Sequence, residues 1–343
     1  MKTRILKIEK NNIENLKEAS HLIRKGELVA FPTETVYGLG ADGLNKKAVE
    51  KIFIAKGRPQ DNPLILHISH LDMLKPLVMD IPKEAKLLME KFWPGPLTII
   101  FKKSSFVPDI ISGGLETVAI RMPKNEIALE LIHLSNTPIA APSANISGRP
   151  SPTDAKTCYE DLCGKIELII DGGDTIVGLE STVIDMTGDV PTILRPGAIT
   201  LEMISKLLPN AEVDKSIITE GEIPKSPGQK YKHYAPKADA FLLIGNKDEK
   251  LKKLDKFISE NEGKKIGIMA TTELLEKINY ENIAVKNLGS ISNLENFGSL
   301  IFRDLRDLDK LNVDVIICEG VEETGLGMAI MNRLKKSTSN RYI

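Results

Sequence analysis

Three loops concentrate the residue types that can grip an anionic ligand. Pro32-Thr33-Glu34-Thr35-Val36-Tyr37-Gly38-Leu39-Gly40-Ala41-Asp42 sets hydroxyls, a carboxylate and two glycines directly after an apolar run, and the crevice at strand C-termini is where open α/β sheets take their ligands. Taken alone it is equally a polar turn in which Gly38 and Gly40 supply positive φ. Lys56-Gly57-Arg58-Pro59, followed by Asn62, ends a helical stretch with two cations two residues apart. Lysine as a point charge and arginine as a planar fork can bracket a phosphate, but cations near a helix C-terminus also compensate its dipole. Ala141-Pro142-Ser143-Ala144-Asn145-Ile146-Ser147-Gly148-Arg149, with Ser151 just beyond, offers small donors after another apolar strand. Serine and asparagine are ordinary turn residues too.

Arg121 at the end of TVAIR, Ser181-Thr182 and Arg195 extend the set. Loops that bring together several cations with no matching acidic pattern imply an anionic ligand. His67, inside PLILHIS, reads by itself as a hydrogen-bonded core histidine sooner than a ligand contact. Residues 226–236, SPGQKYKHYAP, interleave aromatic and basic side chains between prolines, which suits an arm folding over a ligand or a segment packing two domains together. Gly325-Leu326-Gly327 lacks the third glycine of a dinucleotide fingerprint and reads as a helix start. No Walker-type loop, no His-Glu-x-x-His and no Gly-x-Ser-x-Gly occurs, so any ATP chemistry needs a different phosphate site.

Short β-branched runs alternating with helical periods position these loops. Strands are expected over 4–8, 27–32, 63–68, 97–102, 117–123, 138–142, 166–171, 181–186 and 191–197, and helices up to Gly26, over 45–56, 82–92, 125–135 and 153–164, and after Thr200. This predicts an α/β domain over 1–207 with a mixed, twisted sheet. Residues 208–237, with four prolines and little apolar periodicity, read as a linker or lid arm. Strands at 238–245, 264–270, 282–288 and 313–320 alternate with helices and predict a smaller Rossmann-like three-layer α/β domain over 238–343, with a parallel sheet.

At 343 residues, two domains accord with a rule of roughly 100–200 residues each. Hydrophobic residues make up 42% and charged residues 27%, which excludes disorder as the main state. No run of about 18 apolar residues and no signal-peptide core occurs, so a membrane role is not expected. Cys158, Cys163 and Cys318 fit neither a disulfide framework nor a zinc site, and reduced thiols in a cytoplasm are expected. The net charge is −1; residues 1–205 carry 24 basic and 26 acidic side chains, and 206–343 carry 22 and 21. Binding that rests on phosphate neutralisation needs a basic excess, which disfavours nucleic acid as the main ligand.

PTETVYGLGAD, KGRPQDNPL, the SAN of APSANISG, STVID, LRPGAI and SPGQKYKHYAP, in that order, resemble the threonylcarbamoyl-AMP synthase family in its long two-domain form, with a YrdC-like N-terminal domain. The resemblance spans nearly the whole chain. It implies a nucleotidyltransferase that joins L-threonine, bicarbonate or CO2, and ATP into threonylcarbamoyl-AMP and pyrophosphate, with Mg2+ accompanying the ATP. A separate tRNA threonylcarbamoyl transferase complex would then modify an adenosine beside the anticodon, with at most weak tRNA contact by this chain. Carried over residue by residue, the threonine-binding positions are Thr35, His67, Arg121 and Ser181. The ATP-binding positions are Lys56, Arg58, Asn62, Thr117, Ala141 through its backbone, Ser143, Asn145, Ser151, Arg195 and Tyr234, with Lys56 and Arg58 acting electrostatically and no general base assigned. Gln229 and the KKSTSN ending of the last helix depart from the family pattern away from this site. Two other readings are a double-stranded RNA or tRNA-binding module, and carbamoyl-phosphate chemistry of the hydrogenase-maturation type. The first lacks basic excess and the second lacks its extra cysteine clusters.

Overall fold

The computed structural model describes residues 2–8, 15–218 and 233–343. They fall into two compact units: Met1–Ser147, Ser151–Ile176 and Glu180–Lys230 form the first, and Gly148–Pro150, Val177–Leu179 and Tyr231–Ile343 the second.

The first unit runs β1 (Arg4–Lys7), α1 (Leu16–Arg24), β2 (Val29–Phe31), β3 (Gly38–Asp42), α2 (Lys46–Lys56), β4 (Ile65–His67), α3 (Lys83–Phe92), β5 (Leu97–Lys102), α4 (Asp109–Ser112), β6 (Thr117–Arg121), α5 (Glu126–Ser135), β7 (Ile139–Ala140), α6 (Ala155–Leu162), β8 (Leu168–Asp171), β9 (Thr182–Asp185), β10 (Thr192–Arg195), α7 (Leu201–Ser205), β11 (Glu212–Val213) and α8 (Lys215–Ile218). Side chains at the helix ends explain the boundaries. Asn45, Asn125 and Asp154 each accept a hydrogen bond from the first turn of α2, α5 and α6, worth about 1 kcal/mol apiece. Gly57 closes α2 in the left-handed conformation, and Gly26, at a φ of +76°, follows α1 as its sequence predicts.

The strands form one mixed sheet in the order β1-β8-β2-β3-β7-β4-β6-β5-β9-β10-β11. Alternation along the strands builds the core: Val29 and Phe31 of β2, Leu168 and Ile170 of β8, and Ile139 of β7 meet Leu16, Ala19 and Ile23 of α1 and Ala128, Leu131 and Ile132 of α5. These residues recur at the helical period on one side of each helix, which is why the two helices lie on this face.

Two segments differ from the sequence reading. Gly38–Asp42, read as a polar turn, is a strand antiparallel to β2. Neither Gly38 nor Gly40 has a positive φ. A Cβ on Gly40 would lie 2.8 Å from the Phe31 ring and 2.9 Å from Ile139, and one on Gly38 3.3 Å from the same ring. The glycines therefore make room for Phe31, and their weak strand propensity hid the strand. Within 208–237, Glu212–Val213 pairs in parallel with β10 and Lys215–Ile218 is helical, while 219–232 lie outside the described residues. A two-residue edge strand leaves no period to read.

The second unit runs β12 (Asp239–Leu243), α9 (Lys247–Glu260), β13 (Ile266–Ala270), α10 (Thr272–Leu275), β14 (Ala284–Asn287), α11 (Leu294–Lys310), β15 (Val315–Glu319) and α12 (Leu326–Ser337). Its four strands are all parallel, in the order β12-β15-β13-β14. Ile266, Ile268, Val315, Ile317 and Leu243 pack with Leu254 of α9 and Leu274 of α10. On the opposite face Gly267 abuts Leu308 of α11, and all five residues of β13 are buried. Helices on both faces give the three layers the sequence predicts. Gly327 is fixed by packing, since a Cβ there would lie 1.9 Å from the Glu322 carbonyl oxygen; the glycine pair starts α12.

Candidate active site

Arg121 ends β6, paired in register with His67 of the parallel neighbour β4 and with Thr98 of the antiparallel neighbour β5. Its guanidinium is buried. Nε donates to the Gly95 carbonyl at 3.3 Å and Nη1 to the Thr35 hydroxyl at 2.9 Å, while Nη2 lies 2.8 Å from Glu34 Oε2. Thr35 is itself held by Thr33, whose hydroxyl lies 2.8 Å away and caps the turn by donating to the Val36 carbonyl. The loop between β2 and β3 thus presents a hydroxyl and a carboxylate to one arginine.

His67 is buried beside the guanidinium. Desolvation first and the Arg121 charge second push its pKa from 6.5 down to about 3, so the imidazole is neutral at physiological pH. The Phe31 ring packs edge-on against it, with centroids 6.3 Å apart. On the far side of Arg121, Thr98 shares a 2.7 Å hydrogen bond with the Ser181 hydroxyl. Arg195 donates from Nε to the Ser181 carbonyl at 3.0 Å and from Nη2 to its hydroxyl at 3.1 Å. The turn after Arg195 needs Gly197, where a Cβ would lie 2.4 Å from the Thr182 nitrogen. Arg121 with Thr35 and His67, and Ser181 with Arg195, are thus two polar groups set on neighbouring strands across the ends of β4, β6, β5 and β9.

Lys56 is also buried, at 2% exposure. Its ammonium donates to the carbonyls of Ser143 and Asn145, and its own carbonyl accepts from Ser147 N–H at 2.9 Å. Ser143 Oγ donates to Asn145 Oδ1 at 2.5 Å. Ala144 N–H donates to the Tyr37 carbonyl, Leu39 N–H to the Pro142 carbonyl, Ala141 N–H to the Ile65 carbonyl and Tyr37 N–H to the Pro152 carbonyl. Residues 141–147 are thus clamped between the end of α2 and the loop before β3. The Tyr37 hydroxyl donates to the Gly173 carbonyl at 2.7 Å and accepts from Gly172 N–H, and burial raises its pKa.

Arg58 donates to the carbonyls of Asn62 and Pro63 at 3.3 and 3.0 Å, which folds the Arg58–Pro63 turn around the guanidinium. Ser151 donates to Glu180 at 2.5 Å, both side chains being buried. Thr117 opens β6 and so lies at the opposite end of that strand from Arg121, about 13 Å away along an extended chain. Tyr234 belongs to the second unit, where it stacks on Phe302 with centroids 5.0 Å apart; residues 226–232 of its arm lie outside the described residues. Among the described residues, no three His, Cys, Asp or Glu side chains form a metal cage, and no helix is long and apolar enough to cross a membrane.

The sequence reading names no role for Glu34, Thr98, Tyr37 or Glu180. Thr98 carried a signal, as the lone polar residue within the apolar run LTIIF.

Residues 21–197 match the family of Sua5, YciO and YrdC proteins, described as "Telomere recombination". Residues 199–339 match the family described as "Threonylcarbamoyl-AMP synthase, C-terminal domain". A Pyrococcus abyssi protein named threonylcarbamoyl-AMP synthase is 50% identical over 328 residues, covering 95% of this chain and 94% of its own. The chain belongs to the threonylcarbamoyl-AMP synthase family. A Bacillus subtilis synthase is 45% identical over 97% of this chain and 95% of its own. The Pyrococcus abyssi Sua5 structure in complex with L-threonine superposes with a TM-score of 0.93 at 47% identity, covering 100% of this chain and 99% of that one. The family match and this likeness accord with the fold expected from the sequence.

Proposed function

We propose that this chain condenses L-threonine, CO2 from bicarbonate, and ATP into threonylcarbamoyl-AMP, releasing pyrophosphate. The observation that carries the reading is the buried Arg121 guanidinium, bound to Thr35 and flanked by His67 and the Ser181–Arg195 pair, in a chain whose relative was solved with L-threonine. In this reading Arg121 receives the amino-acid carboxylate. Thr35, Ser181 and the neutral His67 line the rest of the threonine subsite.

The amine attacks CO2 to give a carbamate, whose oxygen attacks the α-phosphate as pyrophosphate leaves. Both partners in the second step are anions, so charge repulsion dominates the barrier, and fixed cations with oriented backbone donors lower it. Arg58 and Arg195 supply cationic forks. Lys56 neutralises charge from beneath the 141–147 loop, whose Ala141 backbone, Ser143 and Asn145 contact the nucleotide together with Asn62, Thr117 and Ser151. Magnesium enters as part of the MgATP substrate, held by phosphate and water oxygens.

The product passes to a tRNA threonylcarbamoyl transferase complex, and near-zero net charge supports no more than weak tRNA contact by this chain. A cytoplasmic location completes the reading and accords with three free cysteines, Cys158 and Cys318 buried and Cys163 exposed. The test is pyrophosphate release with ATP, magnesium, bicarbonate and L-threonine, each omitted in turn, with threonylcarbamoyl-AMP sought by mass spectrometry. Release that requires both threonine and bicarbonate is expected. ATP binding that ignores threonine would point to another acceptor, and the absence of ATP binding would return the RNA-binding reading.

A further inference from the structure

Glu34 is the acidic side chain that meets Arg121, and this buried ion pair is incompletely hydrogen-bonded. Glu34 is 6% exposed, and its Oε2 lies 2.8 Å from Arg121 Nη2. That contact lacks hydrogen-bond alignment: neither carboxylate oxygen accepts a hydrogen bond from any described group, and Nη2 donates none. A buried carboxylate offers about four acceptor positions, and a buried ion pair is favourable only where further hydrogen bonds complete it. Stabilising ion pairs achieve this with aligned, often bidentate contacts, which this one lacks. His67 Nδ1, beside Arg121 in the sheet register, makes no hydrogen bond either.

We propose that Glu34 is the subsite for the ammonium group of L-threonine and accepts the proton that this ammonium must lose before its nitrogen can attack CO2. The inference rests on the threonine-dependent reaction proposed above. An α-amino acid is a zwitterion whose opposite charges sit on neighbouring atoms, and Arg121 and Glu34 present the complementary charges side by side at 2.8 Å. The substrate carboxylate takes Nη2, which donates no hydrogen bond to a described group, and the ammonium takes the carboxylate oxygens, which accept none.

The chemistry balances without another reagent. An N–H bond of the ammonium breaks, its proton moves to a Glu34 oxygen and its electron pair stays on nitrogen. That pair forms the N–C bond to CO2 while one C=O π pair moves to oxygen, and the second nitrogen proton leaves to solvent, giving the carbamate. Among the described residues, the charged group against Glu34 is Arg121 of β6, beside which His67 of β4 stands in the sheet register.

The probes are L-threonine and 2,3-dihydroxybutanoate, which keeps the carboxylate and hydroxyl but lacks the ammonium. Titration calorimetry on the full-length wild type is expected to favour threonine at least tenfold, and Glu34→Gln is expected to bind the two alike. In the pyrophosphate assay Glu34→Gln is expected to lose about 100-fold or more in kcat near neutral pH, the range of general-base effects. The deficit should narrow as pH rises and free amine becomes available, while the KM for ATP stays within twofold. A residue that merely held Arg121 in place would give a deficit flat with pH and leave the preference for threonine intact; either result overturns the proposal. Should Glu34→Gln fail to fold, the wild type still decides, since equal affinity for both probes rejects an ammonium subsite. Wild type that binds threonine without discriminating defeats this inference alone, whereas wild type that neither binds threonine nor releases pyrophosphate defeats the reaction on which it rests.

Discussion

Burial sets the chemistry of the individual residue here, and His67 gives the clearest consequence. The unfolded chain protonates this side chain near its ordinary 6.5, the folded chain only near 3. Between those values the unfolded state binds more protons, so stability is full above about 6.5 and falls as pH drops toward 3, by up to about 1.4 kcal/mol per pH unit. Asp304 acts with the opposite sign: burial lifts its carboxyl from 3.8 to about 6, so its contribution is full below about 4 and lost as pH rises through 6. A His67→Gln variant separates the two, because Asp304 is common to both proteins. Urea midpoints at pH 7, 6 and 5 are expected to fall more steeply for the wild type than for the variant, and parallel slopes would mean that His67 titrates normally. The position of His67 in an apolar strand was legible in the sequence. Its neutrality was not, because that depends first on burial in the folded sheet and second on Arg121, 54 residues away along the chain and adjacent only through the β4–β6 register. Glu34 illustrates the same limit, since an acidic residue between two threonines reads as a solvated turn until the sheet shows which guanidinium it faces.

Among the elements, those with a regular period were legible and those shaped by contact were not. The long helices and the apolar strands follow their 3.6- and 2-residue patterns. β3, with glycines at 38 and 40, and β11, with two residues, carry no such pattern and exist because neighbouring strands accept them. Gly40→Ala tests the account of β3: a methyl group 2.8 Å from the Phe31 ring is expected to destabilise the fold by about 1–3 kcal/mol through overpacking, seen as a lower urea midpoint with unchanged slope. A midpoint equal to wild type would mean that the ring has room. The 141–147 loop gives a functional counterpart. With the Lys56 ammonium bound to the Ser143 and Asn145 carbonyls, Lys56→Met strips a buried acceptor at Asn145 and a half-buried one at Ser143 of a charged donor, a loss of about 1–3 kcal/mol at the buried one. Hydrogen exchange of amides 143–147 is expected to accelerate and the KM for ATP to rise at least tenfold, with threonine affinity little changed. Unaltered exchange would show that the loop is held without the lysine.

For the whole molecule, two sheets with separate cores make ligand effects divisible. The chain has one tryptophan, Trp93, which lies in the first unit, largely buried, with its indole N–H donating to the Leu97 carbonyl at 2.7 Å. Its fluorescence therefore reports the unfolding of the eleven-stranded unit, whereas far-ultraviolet circular dichroism sums the helices and strands of both. Every expected ligand-binding residue except Tyr234 also lies in the first unit. A ligand that binds only the folded state stabilises it by about 2.7 kcal/mol at a hundred times its Kd, which in a unit of this size raises Tm by roughly 5–10 °C. Threonine with MgATP is expected to raise the fluorescence midpoint by that amount, and Arg121→Lys, which replaces a planar fork by a point charge, to abolish the threonine-dependent part while keeping the ATP-dependent part. In circular dichroism the same ligands should shift only the portion of the transition that coincides with the fluorescence change. A fluorescence midpoint indifferent to both ligands would remove the threonine and nucleotide subsites from the first unit and, with them, the assignment of the reaction to the Arg121 cluster.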